Sequence, residues 1–180
     1  MTDQKLIETA VNFGAHKAAV MNVKDIPFNR DFRKACESNT CGNYGKCWTC
    51  PPDAGDIDDL IEKARKYHRA LIYQTVSSIE DSFDIEGMLE AGKIHNQVAE
   101  KIAAQALPYL GDHVLHLSAG GCRVCERCAK RDNLPCRHPD RAMYSMEAYG
   151  IPVSEVASLC GLKYINGQNT VTYFGIFLYE

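Results

Sequence analysis

Cys122, Cys125 and Cys128 follow one another at intervals of three, and Cys136 stands eight residues further on, ahead of Arg137, His138 and Pro139. Three thiolates at that spacing can close on three corners of one iron-sulfur cube while a more distant cysteine supplies the fourth. A lone zinc ion usually takes cysteines in separated pairs, because its ligands must reach the corners of a tetrahedron around one small ion. The triplet therefore favours a 4Fe-4S cluster, with zinc as the alternative. Gly120 and Gly121 just before it allow a tight bend that exposes backbone N–H groups, which suits an approach to anionic sulfur.

The other cysteines divide into a group and a singleton: Cys36, Cys41, Cys47 and Cys50 in one stretch, then Cys160 alone. Nine cysteines cannot all pair, and a reducing cytosol disfavours disulfides, so metal ligation is the better reading of the two quartets. The first quartet lies in a loop, residues 36–55, where Gly42, Gly45 and the Pro51-Pro52 pair exclude a regular helix or a central strand. Proline directly after Cys50 is also the arrangement of ferredoxin-type motifs, and Tyr44 and Trp48 are placed to shield a cluster or simply to fill space beneath the loop. Cys160, beside Val156 and Leu159, reads as a small buried hydrophobe.

A chain of 180 residues, 46% hydrophobic and 24% charged, can bury one sizeable core, so a single domain over 1–180 is expected. A net charge of -3 argues against nucleic-acid or membrane-surface binding, and no apolar run is long enough to span a bilayer. With no basic and apolar leader at the start, a soluble, cytoplasmic protein is expected. Periodicity predicts helices over residues 3–13, 56–67, 84–107 and from Asp140 to Gly150, a short one near Phe32 and Ala35, and another capped by Ser154 and stopped by Gly161. Strands are predicted over 17–23, 69–77, 113–118 and 170–179, the last dense enough in apolar residues to be central. The long helix should end before Pro108, and His95 on its apolar stripe reads as a core residue rather than a ligand. The fold class that follows is α/β (α+β): about four strands backed by helices, with cysteine-rich loops over 36–55 and 120–139.

The ordered runs Cys36-Glu-Ser-Asn-Thr-Cys-Gly-Asn-Tyr-Gly, Cys50-Pro-Pro, Gly120-Gly-Cys, Cys136-Arg-His-Pro and Ser145-Met-Glu-Ala-Tyr-Gly-Ile-Pro-Val resemble the uncharacterised family of predicted metal-binding proteins, domain of unknown function 2284. The resemblance spans nearly the whole chain and implies a metal-binding domain with iron-sulfur clusters, of a kind common in anaerobic microbes. It implies no particular reaction. Three functions stay open: an electron carrier with one cluster per quartet, serving a redox partner protein; an enzyme using an open iron site or a cluster-reduced cofactor; and a zinc-stabilised binding module. The electron carrier is favoured over a self-contained enzyme, since the chain has no Gly-rich nucleotide fingerprint, nucleophile elbow or radical-enzyme cysteine triad. Arg123, Arg127, Lys130, Arg131, Arg137, His138 and Arg141 surround the second quartet and read as counter-charge for a cluster, a docking patch or a solvated face. Glu147 and Tyr144 are polar groups that either face the site near Cys136 or serve the packing of a helix.

Overall fold

A computed structural model describes residues 2–180. In chain order it runs α1 (Asp3–Asn12), β1 (Lys17–Asn22), α2 (Phe32–Glu37), α3 (Ile57–Arg65), β2 (Arg69–Ser78), α4 (Ile85–Leu110), β3 (Val114–Ser118), β4 (Tyr144–Ser145), α5 (Val153–Leu159) and β5 (Thr170–Tyr179). The fold is α+β, a mixed sheet of five strands in the order β1-β2-β5-β3-β4. All neighbours pair antiparallel except β3 and β4, which are parallel. The strand at the end of the chain, β5, is central as its composition implied. Its full ten-residue register with β2, from Arg69↔Tyr179 to Ser78↔Thr170, makes that pair the spine of the sheet.

Alternation along the strands explains the two apolar layers. Ile72, Leu117, Ile176 and Leu178 point to one face, where Leu60 and Ala64 of α3 and Val156 and Ala157 of α5 close over them. Leu71, Tyr73 and Phe177 point to the other, covered by Leu6 and Ala10 of α1 and by Val98, Ala99 and Ile102 of α4. Three of the helices, α1, α3 and α4, begin where the preceding side chain satisfies a first-turn N–H group. Thr2 accepts from Lys5 N at 3.3 Å, Asp56 from Asp58 N at 2.8 Å, and Asp84 from Gly87 N at 2.8 Å.

Three expectations are corrected. Residues 140–150 do not form a helix: they supply the two-residue β4 and a 3-10 turn over Glu147–Tyr149, pinned to β3 by Met146 N donating to Ser118 O at 2.9 Å. Of the apolar residues Met143, Met146 and Ala148 that suggested a helix, Met146 and Ala148 are buried in the core from this non-helical backbone. Next, α4 continues through Pro108 to Leu110, because burial of Leu110 in the α4 face outweighs the one backbone bond that proline forfeits. Lastly α5 starts at Val153, and its preceding residue is Pro152 rather than a capping serine.

Candidate metal centre

Cys36 rides on the last turn of α2, and this helix packs against the Glu147–Tyr149 turn. Arg33, one turn before it, closes the base of the first cysteine loop by donating from Nη1 to Gly55 O at 2.8 Å. The rest of that loop is a series of turns: Asn39 at φ +54° accepts from Tyr44 N at 3.0 Å, Gly45 N donates to Pro51 O at 2.8 Å, and Cys50 N donates to Cys47 O at 3.0 Å. Cys41, Cys47 and Cys50 are thus carried on irregular backbone, as the glycines and prolines required, whereas Cys36 sits on α2.

The second loop leaves β3 at Ser118. Gly121 sits where a Cβ would come within 3.1 Å of Asn43 Nδ2 and 3.7 Å of Cys50 Sγ, so its bare backbone is what lets the two loops meet. Arg123 anchors the turn that follows, donating to Ala119 O at 3.0 Å and lying 5.5 Å from the centre of the Tyr173 ring. Further on, Trp48 Nε1 of the first loop donates to Leu134 O of the second at 2.9 Å. Lys130 pairs with Asp53 at 2.5 Å, both largely buried, and its ammonium lies 4.3 Å from the centre of the Trp48 ring. Loops more than seventy residues apart in sequence are therefore tied at three places.

All nine cysteines are free thiols. Cys47 is buried, Cys41 is exposed, and the others are half-buried. The Cys47 sulfur lies 3.3 Å from the Thr49 hydroxyl, and the structure sets it beside Cys50 and the backbone N–H of Cys122. Within the Cys47–Cys50 pair, the hydrogen bond from the Cys50 thiol holds Cys47 down as the readier thiolate, whereas Cys50 is pushed up because it keeps the shared proton. The charges of Cys47, Cys41 and Cys36 are also felt at Cys50, so Cys50 senses all three other thiols of the first loop. Burial raises the Cys36 and Cys122 thiols, an effect that the Arg33 guanidinium opposes at Cys36.

Two cavities open among the thiols. An open one of about 560 Å³ is bordered by Cys47, Cys122, Cys125 and Cys128, with Lys46, Arg127 and Arg131 at its margin. A small one of about 20 Å³ adjoins the same four cysteines and adds Cys136, Trp48 and His138. The structure thus brings Cys47, counted by sequence with the first quartet, against the second. Among the described residues, no three His, Cys, Asp or Glu side chains form a preassembled site for a single metal ion.

The basic residues around the second loop are mostly engaged: Arg127 with Asp132 at 2.8 Å, Arg141 with Glu100 at 2.7 Å, and Lys130 with Asp53. The cation that sequence reading overlooked is Arg33, whose Nε and Nη2 are buried without a partner beside Cys36. A guanidinium with two buried, unpartnered nitrogens next to thiols fits an anionic metal-thiolate group, which would supply the missing counter-charge. Only its place one helical turn before Cys36 hinted at this role. Glu147 is half-buried near Cys36 with its carboxyl pushed up by burial, while Tyr144, pushed up by burial and by the charges of Cys136 and Cys47, is near the second loop. His95 is fully buried, with Nδ1 2.8 Å from the Thr75 hydroxyl. Cys160 packs its sulfur 3.4 Å from the Met21 thioether, far along the chain from either loop.

Comparison with curated proteins and with solved structures gives no match. The family described as Predicted metal-binding protein (DUF2284) matches residues 19–179, a span that takes in both cysteine loops and every strand of the sheet beyond the first two residues of β1. The chain belongs to that family of predicted metal-binding proteins.

Proposed function

We propose that the protein is an iron-sulfur protein holding two 4Fe-4S clusters, with ligands drawn from Cys36, Cys41, Cys47, Cys50, Cys122, Cys125, Cys128 and Cys136, and that it passes electrons to a redox partner in an anaerobic metabolism. The observation that carries the reading is the meeting of the two loops. The two cysteine-bearing loops are cross-tied by Trp48–Leu134 and Lys130–Asp53, and Cys47 of the first borders cavities with Cys122, Cys125 and Cys128 of the second. The triplet spacing favours iron-sulfur chemistry over zinc, and the two unpartnered nitrogens of the Arg33 guanidinium support an anionic group on the first loop. Two clusters held in contacting loops would be placed to exchange electrons, which a purely structural metal has no need to do. When bound, the clusters supply one-electron chemistry. The chain's own part is to hold the thiolates, cover one side with the Trp48 ring and balance charge through Arg33.

Protein purified without oxygen is expected to be brown, with iron and acid-labile sulfide in about equal amounts. On full reduction its electron paramagnetic resonance spectrum is expected to show spin-spin broadening, which disappears in Cys122→Ser. A colourless, folded preparation containing only zinc sinks the proposal.

A further inference from the structure

We infer that two copies of this chain pair through β1, edge to edge and antiparallel about a two-fold axis normal to the sheet, with Val20 of one copy opposite Val20 of the other. The pairing stands apart from the iron-sulfur reading. β1 forms one edge of the sheet, whereas β3 and β4, which precede and follow the second cysteine loop, lie at the other.

β1 has β2 on one side and no strand on the other. Val23 N donates to His68 O and Ile79 N to Asn169 O, both at 2.9 Å, and these bonds fix the parity of the ladder. Odd-numbered residues of β1 bond to β2, so Ala18, Val20 and Asn22 turn their N–H and C=O groups outward. Edge strands that stay alone are usually blunted by a charge along the strand, a proline or a bulge. β1 has none of these: its register with β2 runs unbroken from Lys17 to Asn22, and its one charged residue, Lys17, stands at the end. A two-fold axis normal to the sheet keeps corresponding faces on the same side, so residues that meet must share a face. Val20 on Val20 meets that condition and sets Ala18 against Asn22 of the second copy. All of these residues point their backbone groups outward, so about six new backbone bonds form with the ladder to β2 intact.

Apolar surface flanks the joint in both layers. Above it, α1 packs over Ala18 and Val20 and leaves Val11 43% exposed. Below it, Cys160 touches Met21 and the adjoining Leu159 is 62% exposed. The charges also match. In this register Lys17 falls opposite Val23 of the second copy, the start of a 3-10 turn that ends at Asp25, whose carboxylate accepts from Asn22 Nδ2 at 3.2 Å. Among the described residues neither Lys17 nor Asp25 has an ion-pair partner within the chain, and the two-fold axis brings them together twice.

The test uses the full chain purified without oxygen, followed by sedimentation equilibrium and by residue-resolved hydrogen exchange from millimolar to micromolar chain. The mass should be twice that of one chain at the upper end and fall on dilution. The amides of Ala18, Val20 and Asn22 should exchange slowly in the dimer and fast in the monomer, while those of Ala19 and Met21 stay slow throughout. Val20→Pro removes an outward N–H without touching the bonds to β2, and should give a folded monomer. Lys17→Asp should weaken association about tenfold, and Asp25→Lys in the same chain should restore it. The inference is overturned by a chain that stays monomeric at every concentration, by a dimer whose Ala18, Val20 and Asn22 amides exchange fast, or by a dimer that survives Val20→Pro. An unchanged dissociation constant in Lys17→Asp overturns the register. Should Val20→Pro fail to fold, the wild-type exchange profile decides the matter. Iron content should be the same in monomer and dimer, so a failure here leaves the cluster reading standing, and a protein without iron leaves this one standing.

Discussion

His95 is fully buried on the apolar face of α4 with only Nδ1 partnered. Burial, with the Arg123 charge adding to it, lowers its pKa to about 4 from the ordinary 6.5. Between those values the unfolded chain binds a proton that the folded one refuses, so stability is present above pH 6.5 and is lost as pH falls toward 4. From pH 7 to pH 5 the loss amounts to about 2 kcal/mol. Urea unfolding of wild type and His95→Gln at both values isolates it: wild type should lose about 2 kcal/mol relative to the variant, and parallel curves refute the assignment. Cys160, half-buried against Met21, should be dispensable for metal. Cys160→Ala is expected to cost about 1 kcal/mol and leave iron content unchanged. Residues like these were legible early, because a histidine or cysteine on an apolar stripe is placed by the stripe. Arg33 was not, since no local pattern tells a buried guanidinium from a solvated one.

At the scale of elements, β2 and β5 are joined by more than their ladder. A Cβ at Gly175 would overlap the Tyr73 hydroxyl and its ring, so the glycine in β5 exists to let a fully buried tyrosine cross over it. That hydroxyl lies 2.8 Å from His116 Nε2, linking β2 to β3 across the central strand. Gly175→Ala should therefore destabilise the protein by about 3 kcal/mol, measured by chemical denaturation. Restoring the space with Tyr73→Ala in the same chain should remove part of the added penalty, whereas simple additivity of the two changes contradicts the crossing. Four strands and most helices were readable because each buries one face at a fixed period. The segment from Asp140 to Gly150 was misread because Met146 and Ala148 are buried by pairing next to β3, a contact that lies outside the segment itself.

Over the whole molecule, the link between the loops is a buried ion pair and one indole hydrogen bond. Lys130→Met removes the partner of Asp53, whose second oxygen already has none. The expected cost is about 3 kcal/mol, together with faster loss of iron to a chelator. An unchanged chelation rate means the pair does not hold the loops together. Stripping the metal should spare the sheet, since β2 and β5 are enclosed by two apolar layers that contain none of the eight loop cysteines. Hydrogen exchange of the apo protein should show protection retained over 69–78 and 170–179 and lost over 36–55 and 120–139; uniform loss would mean that metal binding and folding are one event. The sequence by itself determined that this is an α+β chain with two irregular, thiol-bearing loops, because apolar period, glycine, proline and cysteine spacing are local quantities. Only the tertiary structure decided which thiols face one another, where Arg33 is buried and that Cys47 turns toward Cys122. Those facts depend on how β3 delivers Gly121 against the other loop, a meeting between residues more than seventy positions apart that no local period encodes.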